Sequence, residues 1–163
     1  MRCIGRMGLA VALLLSAQTA SAEEKEPLAV IGLGAAFERG SEAAQFSRGP
    51  TASVEFNVIK DWLEIEVGGA KLFRRGHSEW EAEVVFRKPF DLSETTEFMV
   101  GLGPMWTQAK GEGTKRGTTF VLDFMFWQSP EKKYGWFIEP SYSISKGNER
   151  SVSVSIGLLF GVH

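Results

Sequence analysis

The chain has 163 residues, 44% of them hydrophobic and 12% aromatic, with 18 basic and 20 acidic side chains. This slight acidic excess argues against a general nucleic-acid binder, which needs a surplus of Lys and Arg to neutralise phosphates. One cysteine, Cys3, and two separated histidines, His77 and His163, supply neither a disulfide framework nor a transition-metal ligand set.

Residues 1–22 read as a secretory signal peptide. Arg2 and Arg6 form a basic n-region, Leu9 to Leu15 an apolar core, and Ala20-Ser21-Ala22 a small-residue cleavage site. The apolar run is too short to cross a bilayer as a helix. Cleavage before Glu23 leaves residues 23–163 as one domain without cysteine, opening on a loose tail at 23–27 (EEKEP). Cys3 precedes the apolar run rather than ending it, which argues against a lipoprotein anchor.

From residue 28 onward, strands follow one another with almost nothing at helical spacing. The first, 28–38, sets Ala29, Ile31, Leu33, Ala35 and Phe37 on one phase and Gly32, Gly34 and Ala36 on the other. The second, 51–60, opposes Ala52, Val54, Phe56 and Val58 to Ser53 and Glu55; the third, 62–73, opposes Leu63, Ile65 and Val67 to Glu64, Glu66 and Gly68. In the fourth, 78–88, Trp80, Ala82, Val84 and Phe86 alternate with Glu79, Glu81, Glu83 and Arg87. The fifth, 97–108, carries Phe98, Val100, Leu102 and Trp106 against Gly101 and Gly103. The sixth, 117–128, carries Phe120, Leu122, Phe124 and Phe126 against Asp123. The seventh, 134–145, sets Trp136, Ile138, Tyr142 and Ile144 against Glu139, Ser141 and Ser143. The eighth, 151–162, sets Val152, Val154, Ile156, Leu158, Phe160 and Val162 against Ser153, Ser155, Gly157 and Gly161. Turn chemistry separates them, from Lys60-Asp61 to "AKGEGTKRG" and "KGNER".

The apolar phase totals 34 residues. A closed eight-stranded barrel holds only about a dozen side chains inside. The apolar phase therefore faces outward, and the Gly- and Ser-rich phase fills the narrow interior. This predicts an all-β chain forming a closed eight-stranded antiparallel up-and-down transmembrane barrel. The alternative is a soluble periplasmic β-sandwich or barrel that buries the same face or binds an apolar ligand there. Trp80, Phe98, Trp106, Phe120, Phe126, Trp136 and Tyr142 lie toward the ends of the outward stripes, where interfacial aromatic girdles belong. Connections at 39–50, 74–77, 109–116 and 146–150 share one end, and those at 60–61, 89–96 and 129–133 share the other.

The inward phase holds Glu55, Glu64, Glu66, Glu79, Glu81, Glu83, Asp123 and Glu139 against Arg87 alone. So many like charges in a confined space repel. A bulge at Gly68-Gly69 bringing Lys71 inward, perhaps with Arg74, would relieve the repulsion, as would protonation or entry of cations and water. The expectation is a polar plug of ion pairs and water rather than a dedicated cation or proton path. Eight strands leave no open pore. Pro104 and Pro140 each remove a ladder donor and are expected at bulges or rims.

His77-Ser78-Glu79 is not a catalytic triad, because neighbouring strand residues point to opposite faces. "GLGAAF" lacks the third glycine of a dinucleotide loop. No catalytic, cofactor or metal residues are assigned, and a lipid-modifying hydrolase has no visible catalytic set.

The pattern resembles the small eight-stranded outer-membrane barrels of Gram-negative bacteria, the OmpA transmembrane-domain and OmpX type. The resemblance spans nearly all of the chain after residue 22, and the final strand, "SVSVSIGLLFGV", resembles their terminal assembly signal. It implies a monomer in the outer membrane, inserted by barrel-assembly machinery, without cofactor, and with a structural or surface-interaction role. The basic rim expected to meet lipopolysaccharide phosphates is Arg74, Arg75, Lys115 and Arg116.

Overall fold

A computed structural model describes residues 26–40, 46–74, 76–109, 111 and 113–163. The expected signal peptide, residues 1–22, and Arg75 lie outside the described residues. Eight antiparallel strands, β1 (Ala29–Gly40), β2 (Phe46–Ile59), β3 (Leu63–Arg74), β4 (His77–Ser93), β5 (Thr96–Ala109), β6 (Lys115–Trp127), β7 (Tyr134–Ser145) and β8 (Glu149–Val162), pair in chain order. β8 then closes on β1, from Ala29↔Val162 to Gly40↔Ser151. No sheet edge remains, so the two-sheet sandwich is excluded.

The phases fall as the alternation predicts. Along β6 the burial alternates residue by residue, with Thr119, Val121, Asp123 and Met125 inside and Phe120 and Leu122 exposed. The outer wall is a continuous apolar belt that includes Leu33, Val67, Leu102, Ile156 and Leu158.

Two strands are several residues longer than their sequence signals. β2 begins at Phe46, inside the expected 39–50 loop, where Phe46 stacks on Phe37 with ring centroids 6.3 Å apart. β4 runs on through Pro89 to Ser93, so the expected 89–96 connection shrinks to a tight turn between Ser93 and Thr96. Phe90 at this extension stacks on Phe98, with centroids 6.1 Å apart. One end of the barrel thus carries the short turns, the start of β1 and the end of β8. In the turn after β2, the Trp62 amide donates to the Ile59 carbonyl at 2.9 Å. Asp61 takes the left-handed φ of 58° that a short polar side chain tolerates.

The bulge at Gly68-Gly69, one of the possible remedies for the interior charge, is absent, since both ladders of β3 run through these residues in register. Irregularities occur instead near the turns, at Asn57/Ile59 and Asp91/Ser93. Lys71 consequently stays outside, with its ammonium 4.8 Å from the Trp80 ring centroid and 5.4 Å from that of Phe73.

The prolines need neither a bulge nor a rim position. Pro50, Pro104 and Pro140 stand within strands, and each interrupts one ladder for two residues without shifting its register. Partners run from Arg48↔Phe73 to Thr51↔Ala70, from Glu83↔Met105 to Phe86↔Leu102, and from Val121↔Ser141 to Phe124↔Ile138. On its other side each proline keeps its partner: Ala35, Thr118 and Val154 respectively. Glycine precedes two of the three. A Cβ on Gly49 or Gly103 would lie 1.8 Å from the carbonyl oxygen of Lys71 or Val84, space that only glycine leaves open.

Candidate functional site: the lumen and its two ends

Arg87, in the middle of β4, is 1% exposed and is among the largest fully buried side chains described. Its Nη1 donates to Glu55 Oε2 at 3.0 Å and to Asp123 Oδ2 at 2.9 Å. Its Nη2 lies 2.8 Å from Glu66 Oε2 and donates to Glu139. One guanidinium therefore gathers carboxylates from β2, β3, β6 and β7, which only closure of the sheet can bring to one point. A planar fork with several donors suits this task, and an ammonium does not. One positive charge against four carboxylates still leaves an excess that protons or cations must balance.

Glu81 and Glu83 continue this column toward the loop end, beside a space of about 30 Å³ that Glu38 and a set of hydroxyls also line. The Ser141 and Ser153 hydroxyls lie 2.6 Å apart, and Ser143 donates to Thr119 at 3.1 Å. These hydroxyls satisfy one another across strands where larger polar groups would not fit.

Toward the turn end the lumen is partly apolar. Val30, Met99, Met125, Trp127, Phe137 and Leu159 form a buried cluster. The expected polar plug is thus only half the filling. All six lie on the inward phase, but they are spread over five strands, with only Met125 and Trp127 sharing one, so the linear sequence does not show them as a group. Below them Trp127 Nε1 donates to Glu97 Oε2 at 2.6 Å, and Lys132 pairs with the other oxygen of Glu97. Lys132 sits in the turn between β6 and β7 with φ 50°; burial depresses its ammonium pKa, but Glu97 outweighs this and holds it above the usual lysine value.

The expected aromatic girdle residues cluster in part. Phe126 stacks on Trp136, with centroids 4.1 Å apart, and Phe98 meets Phe124 at 4.9 Å. Trp80 meets Lys71 instead. Trp106 lies opposite Arg116, and Tyr142 lies between Phe120 and Val152.

The expected basic rim is not one patch. Arg74 on β3 and Lys115 with Arg116 on β6 are separated by β4 and β5. Lys115 pairs with Glu149 at 3.1 Å, and Arg74 falls on the lumen phase. Arg39, Arg48 and Lys71, on the adjoining strands β1, β2 and β3, point outward with Arg116 and Arg150. His77, Ser78 and Glu79 are the first three residues of β4.

These features define a class: a closed eight-stranded barrel with an apolar exterior and a charged, filled interior, the fold of small transmembrane β-barrels. Three solved structures share it. Neisserial surface protein A (NspA) aligns with a TM-score of 0.67 at 17% identity, over 82% of this chain and 96% of that one. Ail, the attachment invasion locus protein of Yersinia pestis, aligns with 0.59 at 17% identity, over 83% and 98%. A de novo designed transmembrane β-barrel aligns with 0.55 at 14% identity, over 85% and 98%. No protein-family model and no curated protein matches the chain.

Proposed function

We propose that this chain is an integral outer-membrane barrel with a structural or surface-interaction role, and that its loop end contacts lipopolysaccharide. The observation that carries the proposal is the exposed belt. Leu102 and Leu158 are 55% and 57% exposed, and among the described residues no second layer covers them. Soluble monomers rarely tolerate apolar patches beyond a few hundred Å². The described cavity of about 280 Å³ suits an apolar ligand poorly, because six carboxylates and Lys132 are among its lining residues.

The lipopolysaccharide contact is supported by Arg39, Arg48, Lys71 and Arg116, which face outward at the loop end, where lipid phosphates would lie. The inner-facing or paired members of the basic set, Arg74 and Lys115, contribute less. Barrel-assembly machinery would deliver the chain, which functions as a monomer without a cofactor.

The test is differential extraction of membranes from an expressing Gram-negative host, followed by assay of lipopolysaccharide on the purified protein. Salt and urea washes should leave the protein in the membrane and detergent should release it. Changing Arg39, Arg48, Lys71 and Arg116 together to Glu should cut bound lipopolysaccharide severalfold while heat-modifiable gel migration stays normal. Release by salt alone would overturn the membrane reading. Unchanged lipopolysaccharide would overturn the rim.

A further inference from the structure

Carboxyls and small voids follow one another through the lumen from the turn end to the loop end. At the turn end, the cavity of about 280 Å³ opens on Glu64 and Glu55. Their carboxyls are hydrogen-bonded to each other, which requires a proton between them, since two carboxylates offer no donor. Glu55 also lines a second void, of about 10 Å³, together with Ser53, Glu66 and Asp123. That is room for one water molecule with polar groups on several sides. Asp123 is 1% exposed, and its buried Oδ1 has no hydrogen-bond partner, so a water in this void would give it one.

Past this void the carboxyls run beside Arg87. Glu55 and Glu66 are direct partners in the β2–β3 ladder and so face the lumen side by side. Carboxylate oxygens of Glu66, Glu83 and Glu139 lie within 4.8 Å of one another, gaps that one water bridges. Glu83 and Glu139 line the third void, of about 30 Å³, with Glu81, Ser141 and Ser153. Glu81 makes a second carboxyl–carboxyl hydrogen bond with Glu38, toward the loop end.

We infer that the barrel conducts protons along this chain while staying closed to metal ions and solutes. Buried chains of acidic groups are a recurrent form of proton relay in membranes. Each step moves one proton from a carboxylic acid to the neighbouring carboxylate, directly or through one water. The donor becomes the carboxylate that receives the next proton, so the column is unchanged after each passage. Arg87 keeps its own protons, and its fixed charge repels metal ions. The four carboxylates around it outnumber that charge, which leaves a proton free to pass. The two inner voids are too small for a hydrated ion.

The test uses the protein folded into phospholipid vesicles that enclose a pH-sensitive dye and potassium, with valinomycin setting an inside-negative potential. The interior should acidify severalfold faster than in protein-free vesicles, while a sodium-sensitive dye reports no entry. Glu55→Gln alters the residue shared by the first two voids and should return the rate to near the protein-free value. Ser53→Val fills the one-water void without removing a carboxylate and should do the same, which keeps the test open where the Gln variant does not fold. Glu149→Gln, in the Lys115 pair outside the chain of carboxyls, should conduct like the wild type. Heat-modifiable migration establishes that each variant is folded. The inference fails if wild-type vesicles acidify no faster than protein-free ones, or if folded Glu55→Gln or Ser53→Val keeps the wild-type rate. It also fails if Glu149→Gln loses the flux equally, or if sodium enters with the protons, which would mark an open pore.

Discussion

Arg87→Met will destabilise the barrel by at least about 3 kcal/mol, and in the full-length chain it is expected to prevent folding. Methionine fills most of the volume of the arginine stem, so packing changes little. What changes is charge, because Glu55, Glu66, Asp123 and Glu139 lose the one guanidinium that holds them together. Breaking a buried pair from one side costs more than never having built it, since the remaining charge stays desolvated. Here four such groups remain, and Asp123 Oδ1 already lacks a partner. Arg87→Lys should fall between wild type and Met, because one ammonium cannot meet four carboxylates in a plane. Adding Glu66→Gln, Asp123→Asn and Glu139→Gln to Arg87→Met should restore folding. Urea titrations in lipid vesicles, read by heat-modifiable migration, measure all of these. A stable Arg87→Met single variant would show that the four carboxylates do not need the arginine.

Leu102→Lys will cost about 2–4 kcal/mol in a bilayer. Leu102 lies halfway along β5, is flanked across the ladders by Phe86 and Phe120, and is 55% exposed. At an exposed position in water, the same exchange would change stability by less than about 0.5 kcal/mol. The sign of the environment is therefore legible in a single number. Folding into vesicles, compared with wild type by urea titration, gives that number, and a cost near zero would place Leu102 in solvent.

Strand number, phase and closure could be read from the sequence because alternation is strict and the apolar bulk exceeds what the interior holds. The same alternation placed Glu55, Glu66, Asp123 and Glu139 inside beside Arg87. It could not show that four strands deliver them to one guanidinium, which depends on strand tilt and register. Nor did it reveal the Val30, Met99, Met125, Trp127, Phe137 and Leu159 cluster, whose members come from five strands and meet only at one height in the closed barrel. The extra lengths of β2 and β4 were hidden because Pro50 and Pro89 look like strand breakers, although Pro50 keeps Ala35 and Pro89 keeps Met99 as partners. Lys71 turned inward was one of three ways to relieve the interior charge. With no bulge at Gly68-Gly69, it lies over aromatic rings on the outer wall.

Everything rests on which set of alternate side chains meets hydrocarbon. Cys3 is the sole cysteine of the chain, and its removal leaves a clean background for spin labels at successive positions from 152 to 158 in vesicles. The labels at 152, 154, 156 and 158 should be reached by dissolved oxygen and shielded from a water-soluble nickel chelate, while those at 153, 155 and 157 should be shielded from both. High accessibility of positions 154, 156 and 158 to the nickel chelate would contradict the account.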